Sequence, residues 1–131
     1  MTISLDDDAR HLLDAKNFAV VSTLLPRGEP QTSVVWIKRD GDAVLFTTTS
    51  HRQKARNIAR DGRVSLTVID SENPYHSLEI RGIAELIPDP EKRLSFELSH
   101  KYLGVDPPGE SEDERRLIVR VMPERVIGFS A

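Results

Sequence analysis

The sequence predicts a mainly β, single-domain protein: a small antiparallel barrel of six or seven strands with three short helices at its edges. Three observations carry this. Short runs of β-branched and apolar residues recur along the chain, separated by Gly, Pro, Asn and Asp turn signals. The three helical segments do not alternate regularly with those runs, which argues against a doubly wound parallel sheet and for a closed antiparallel one. A chain of 131 residues without linker or internal repeat is enough for one hydrophobic core, so the domain is expected to span 1–131.

The first element is a helix. In SLDDDARHLLDAK, Leu5, Ala9, Leu12 and Leu13 fall at helical spacing. Ser4 can cap it, and Asp6 to Asp8 suit the positive end of the helix dipole, which explains them without a metal. FAVVSTLL (18–25) reads as a strand, PRGEP as a turn and QTSVVWIKR (31–39) as a second strand. Asp40-Gly41 is a hairpin signal before AVLFTTT (43–49), so 18–49 is expected to form a three-stranded antiparallel meander. Ser50 and Gln53 have the spacing of a capping box for a helix with Ala55, Ile58 and Ala59 as its apolar stripe and Gly62 at its end.

VSLTVID (64–70) alternates as a strand, and ENPYH (72–76) turns the chain. SLEIRGIAELI (77–87) is a longer strand, in which Gly82 marks a bulge or a close backbone approach. In PDPEKRLSFELSHKYLG (88–104), Asp89 caps a third helix, Pro90 takes its first position and Gly104 ends it, with Leu94, Leu98 and Tyr102 on one face. VDPPGESEDE (105–114) is a polar loop. RRLIVRVMPERVIGFSA (115–131) supplies one or two last strands, with Pro123 at a bend or an edge.

Composition narrows the function. The chain has no cysteine, hence no disulfide framework and no thiolate zinc site, which fits a reducing, cytoplasmic location. No apolar run is long enough to span a bilayer, and the acidic start MTISLDDDAR lacks the features of a signal peptide, so no membrane partner is expected. His11, His51, His76 and His100 have no ligand spacing, so no metal site is expected. No Ser/His/Asp set or carboxylate pair stands out. Aromatics make up 5% of the chain and none interleaves the basic segment, so no nucleic-acid partner is expected.

Charge singles out one segment. The net charge is −3, yet residues 51–64 carry Arg52, Lys54, Arg56, Arg60 and Arg63 against the single acid Asp61. Cations at a helix start oppose the dipole by a few tenths of a kcal/mol each, up to about 1, unless an anion compensates. A phosphate reverses the sign, because the free amides and the cations both donate to it. Thr47, Thr48, Thr49 and Ser50 add hydroxyls just upstream. Helical projection puts Arg52 near the buried side with Lys54 and Arg56 flanking that face, and assigns the anion to Arg52 and Lys54 first, then to Arg56; Gln53, Asn57 and Arg60 point outward. The alternative is that all five cations are solvated surface charge.

The segment VLFTTTSHRQKARNIARDGRVSLTV, the strand LEIRGIAELIPDPEKR with its RG, and the endings SHKYLG and VMPERVIGF resemble, over nearly the whole chain, the flavin-binding split-barrel superfamily, the pyridoxamine 5'-phosphate oxidase-like proteins. Within it they are similar to the subgroup of oxidoreductases that use the deazaflavin coenzyme F420. The resemblance implies an FMN-binding-type split barrel and a homodimer with a cofactor groove at the interface. It implies a phosphate on Arg52 and Lys54, with Ser50, Gln53 and Asn57 in the same segment. The ring would lie against Phe46, Thr47 and Thr48 and against Ser33, Val34, Val35 and Trp36. Where the family often has a basic residue early in that second strand, this chain has Gln31, Thr32 and Ser33. The second subunit would contribute Tyr75, His76 and Ser77. Trp36, the one tryptophan, is either a core or interface aromatic or a ring-stacking residue.

The expected function is hydride transfer between F420 and a small organic substrate, with the cofactor supplying the chemistry and no catalytic side chain assigned. The alternatives are an FMN-binding oxidase-like protein, or a carrier of flavin or deazaflavin without turnover.

Overall fold

The structure, a computed structural model, describes residues 3–130; Met1, Thr2 and Ala131, the ends of the expected 1–131 domain, lie outside the described residues. Three helices and seven strands follow in the order α1 (Asp7–Asp14), β1 (Ala19–Leu24), β2 (Pro30–Val35), β3 (Lys38–Asp40), β4 (Ala43–Thr49), α2 (Gln53–Arg60), β5 (Arg63–Asp70), β6 (Asn73–Pro88), α3 (Arg93–Tyr102) and β7 (Arg116–Ser130). The mainly β, antiparallel architecture is the one expected.

The expected meander is corrected. The run 31–39 is two strands broken at Trp36–Ile37, and the halves pair with different partners. Strand β2 pairs with β1, and β3 pairs with β4. The sheet runs β2-β1-β5-β6-β7-β4-β3, so β2 and β3 are its two opposite edges. Val35 and Lys38 are three residue steps apart, at most about 11 Å of chain. Edges that close together require the sheet to curl into a barrel, and the crossover at Trp36–Ile37 is its seam.

The seam is held by α3. Tyr102 Oη accepts from Ile37 N at 3.0 Å and donates to Asn17 O at 2.6 Å. Lys101 Nζ donates to Leu13 O at 2.8 Å and Ile37 O at 2.7 Å. The Trp36 ring stacks on Tyr102, 5.1 Å between centroids and 8° from parallel.

Alternation along the strands fills the barrel. Ala19, Val21, Val44, Phe46, Leu66, Val68, Ile80, Val119 and Val121 are buried inside it, with Leu12 and Leu13 of α1 and Ile58 of α2 packed on the same core. Gly41 (φ 60°) turns the β3–β4 hairpin, as Asp40-Gly41 predicts. Gly82 sits at a register shift between β6 and β7, and a Cβ there would lie 2.3 Å from Met122 O. It is both a bulge and a close approach.

Several local expectations change. Asp6, not Ser4, caps α1, accepting from Ala9 N at 2.8 Å. Helix α2 has Arg52 at its N-cap and no side-chain cap, so the Ser50–Gln53 capping box does not form; Gln53 instead donates to Asn57 Oδ1 at 2.8 Å. Its buried residues are Ala55, Asn57 and Ile58, and Ala59 is exposed. The turn expected at 72–76 shrinks to Ser71–Glu72, and Tyr75, His76 and Ser77 belong to β6. Helix α3 starts at Arg93 rather than Pro90. Asp89 still caps it across a turn, accepting from Arg93 N at 3.1 Å and Leu94 N at 3.0 Å. The C-terminal segment is one strand, with Pro123 beyond the last β4 partner, Val121, and opposite Gly82 at the β6–β7 register shift.

Candidate cofactor site

The seam, the end of β4 and the start of α2 enclose a cavity of about 380 Å³, a size suited to small-molecule sites. Strand β2 contributes Ser33, Val34 and Val35, and the seam contributes Trp36. Strand β4 contributes Thr47, Thr48 and Thr49, and α2 and its cap contribute Arg52 and Lys54. Leu98 of α3 and Arg116 of β7 complete the wall.

The basic segment divides as its geometry demands. Arg56 Nη1 donates to His51 O at 2.7 Å and Nη2 to Gln53 Oε1 at 2.6 Å. Arg60 Nη2 donates to Leu24 O, and Arg63 Nη2 to Asp61 Oδ2 at 2.7 Å. Those three hold the local fold. Arg52 is exposed rather than near the buried side of the helix. It lines the cavity with Lys54, whose Nζ donates to Ser33 Oγ at 3.1 Å. Burial and then the charge of Arg52 push the Lys54 pKa below the usual lysine range, and no Asp or Glu is among the residues lining the cavity around the pair.

Other predicted residues lie elsewhere. Phe46 is fully buried in the barrel core. Asn57, expected to point outward, is buried and donates to Thr23 Oγ1 at 3.0 Å, fixing α2 to β1. Ser50 donates its N–H to Arg115 O at 3.0 Å, and neither Ser50 nor Gln53 lines the cavity. Tyr75, His76 and Ser77 sit at the start of β6, outside the cavity. Tyr75 is 65% exposed, and His76 lies between Asp70 Oδ2 (3.0 Å) and Asp8 Oδ2 (2.9 Å) of its own chain.

Two lining residues escaped sequence reading. Leu98 read as core face of α3. Arg116 read as the start of a strand, and only the β4–β7 register, with Thr49 opposite Arg116, brings it to the site. Thr49 was visible as a hydroxyl beside the basic segment.

The donor set fits a phosphate-bearing planar cofactor. Helix α2 offers a start with no side-chain cap and no acidic residue in its first turn. Thr48 Oγ1 is buried without a hydrogen-bond partner among the described residues, and buried hydroxyls are normally satisfied. Val34, which is 65% exposed, Val35, Trp36 and Leu98 supply apolar surface beside these donors.

Comparison with known proteins agrees. The family profile described as pyridoxamine 5'-phosphate oxidase matches residues 5–129. The chain belongs to this family. Among solved structures it is similar to an F420 reductase, at 35% identity and a TM-score of 0.84, covering 94% of this chain and 98% of that one. It shares the fold of a conserved hypothetical protein from Mycobacterium tuberculosis (20% identity, TM-score 0.79, 98% and 86% covered). It also shares that of General Stress Protein 26 from Bacillus anthracis (14% identity, TM-score 0.71, 94% and 92% covered). No curated protein matches the chain. The family membership and the split-barrel architecture are those the sequence resemblance implies.

Proposed function

We propose that this protein is an F420-dependent oxidoreductase that transfers a hydride between the deazaflavin and a small organic substrate. The observation that carries the reading is the cation pair Arg52 and Lys54 in a cavity with no Asp or Glu among its lining residues, beside a helix start without a side-chain cap and a buried hydroxyl with no partner among the described residues. The 35% identical F420 reductase supports the choice of deazaflavin. The family's description as pyridoxamine 5'-phosphate oxidase supports FMN as the second reading.

In this reading Arg52, Lys54 and the free amides of α2 hold the phosphate by charge-assisted hydrogen bonds. Ser33 keeps the Lys54 ammonium on the cavity wall. Thr48 Oγ1, unpartnered among the described residues, would be free to hydrogen-bond a polar edge of the ring system. Val34, Val35 and Trp36 form an apolar bed, and Leu98 excludes water from one side. Bound there, the deazaflavin supplies or receives the hydride, so the protein needs no nucleophile of its own.

A homodimer belongs to the same proposal. Ile69, Tyr75 and Phe129 are exposed apolar residues on β5, β6 and β7 in turn, with Phe129 opposite Ser77 in the β6–β7 register. A second copy covering this face would bring Tyr75 and Ser77 to a partner's groove. Fluorescence and absorbance titration with F420 and with FMN, alongside sedimentation, is the test. Saturable F420 binding by a dimer is expected; saturable FMN binding with no F420 affinity establishes the second reading, and binding of neither rejects both.

A further inference from the structure

A second cavity, of about 510 Å³, shares Arg116 with the first and is lined further by Lys92, Glu110 and Arg115. At its centre the chain satisfies one of its own cations. Glu110 accepts from Arg116 Nε at 3.0 and 3.1 Å and from Nη2 at 2.7 Å, the fork geometry by which a guanidinium binds a carboxylate. Lys92 Nζ lies 3.5 Å from Glu110 Oε1. The three side chains are only 20–26% exposed. Lys92 is the one non-glycine among the described residues with positive φ (57°), a left-handed backbone state that favours glycine.

Glu110 sits in the loop 105–114, whose start is pinned by Ser99 Oγ donating to Val105 O and by His100 Nε2 beside Asp106 Oδ1, each at 2.6 Å. From Pro107 to Ser111 its carboxylate makes the segment's only hydrogen bonds or ion pairs to the body of the protein among the described residues. Glu112 and Glu114 line the same cavity and pair with neither cation. Two sheltered cations thus hold one carboxylate on a tether, next to a cavity already short of negative charge.

We infer that Arg116 and Lys92 form a carboxylate subsite contiguous with the cofactor cavity, filled in the free protein by Glu110 and taken over by a carboxylate of the bound small molecule. The inference rests on the neighbouring cavity being the ligand site. A tethered carboxylate competes at the effective concentration its linker sets, in the millimolar range for short flexible links. A ligand already anchored on Arg52 and Lys54 presents its own carboxylate with the same advantage and can displace Glu110. The released loop then leaves the mouth of the second cavity.

The experiment is a titration with glutarate, followed by the ¹H–¹⁵N signals of the Arg116 Nε–H and of the backbone at 116–118, on wild type, E110Q and E110Q/R116A. E110Q is expected to bind glutarate about tenfold or more tightly than wild type, because the internal competitor is gone, and E110Q/R116A to lose that gain. At saturation in wild type, amide exchange of residues 109–113 should rise. Equal affinity in wild type and E110Q, no binding to E110Q, a gain that survives in E110Q/R116A, or unchanged loop exchange would each overturn the subsite. Parallel F420 and FMN titrations of R116A identify the source. Loss of F420 affinity alone assigns the carboxylate to the cofactor, and unchanged affinity for both assigns it to the substrate. If neither cofactor binds wild type, the proposed function fails while the glutarate series still decides the subsite.

Discussion

Lys54 and Ser33 meet across the cavity, Nζ to Oγ at 3.1 Å, joining the first turn of α2 to the edge strand β2. No Asp or Glu is among the residues lining the cavity beside the ammonium, and the Lys54 pKa is lowered by burial and then by Arg52. The protein holds an ammonium where the empty fold does not favour one. Arg52→Ala and Lys54→Ala should each weaken phosphate-bearing cofactor by about 1.5–3 kcal/mol, roughly ten- to a hundredfold. Melting temperatures should stay level, or rise for Lys54→Ala. Cofactor titration and calorimetric melting on the same samples check both halves.

Binding should also take up protons. An anion restores the Lys54 ammonium that burial disfavours, so the bound-state pKa exceeds the free one. Affinity is then constant at pH values below the lowered Lys54 pKa and falls above it, by up to about one decade per pH unit. Kd followed through alkaline pH should show the break in wild type and lose it in K54A.

His76 makes a second pH signature, in stability rather than in affinity. Its two ring nitrogens face Asp8 of α1 and Asp70 of β5, and these bonds raise its pKa above the ordinary 6.5. Only the imidazolium donates to both. The clasp therefore adds stability that is fully present below pH 6.5 and disappears as pH rises through the raised value. His76→Gln should flatten the decline of stability above pH 6.5 in urea melts taken across the range.

Tyr102→Phe should destabilise the fold by about 1–3 kcal/mol, the cost of leaving the Ile37 N–H and Asn17 carbonyl without their shared hydroxyl. Because Trp36 stacks on the same ring, its emission should report local loosening of the seam in denaturant before global unfolding.

Gly82→Ala should cost about 1–3 kcal/mol or more through overpacking, since its Cβ would fall 2.3 Å from the Met122 carbonyl and both are backbone-bound. Chemical denaturation of the variant measures it.

The strands, the Asp40-Gly41 hairpin and the Gly82 bulge were legible because alternation and turn chemistry are local. The division of 31–39 was not, because VVWI is an unbroken run of β-branched and aromatic residues with no turn residue in it. Only the remote competition between β1 and β4 for the two halves breaks it. Asn57 read as solvent-facing since its burial depends on Thr23, which lies 34 positions earlier. At the site, Arg52 and Lys54 announce themselves by opposing a helix dipole. Arg116 carries no such mark, since nothing near it in sequence marks its pairing with Thr49. Phe46 followed the strand into the core while its threonine neighbours lined the cavity.

The crossover at Trp36–Ile37 has one more consequence. A chain that passes from one edge of its sheet to the other in two residues makes the circumference of the barrel a quantity set by a single link. Surface turns elsewhere can lengthen without altering the girth, whereas extra residues at this link would let the cylinder widen with every ladder intact. Such an insertion would change what fits beside the indole, and so would retune the molecule's choice of guest.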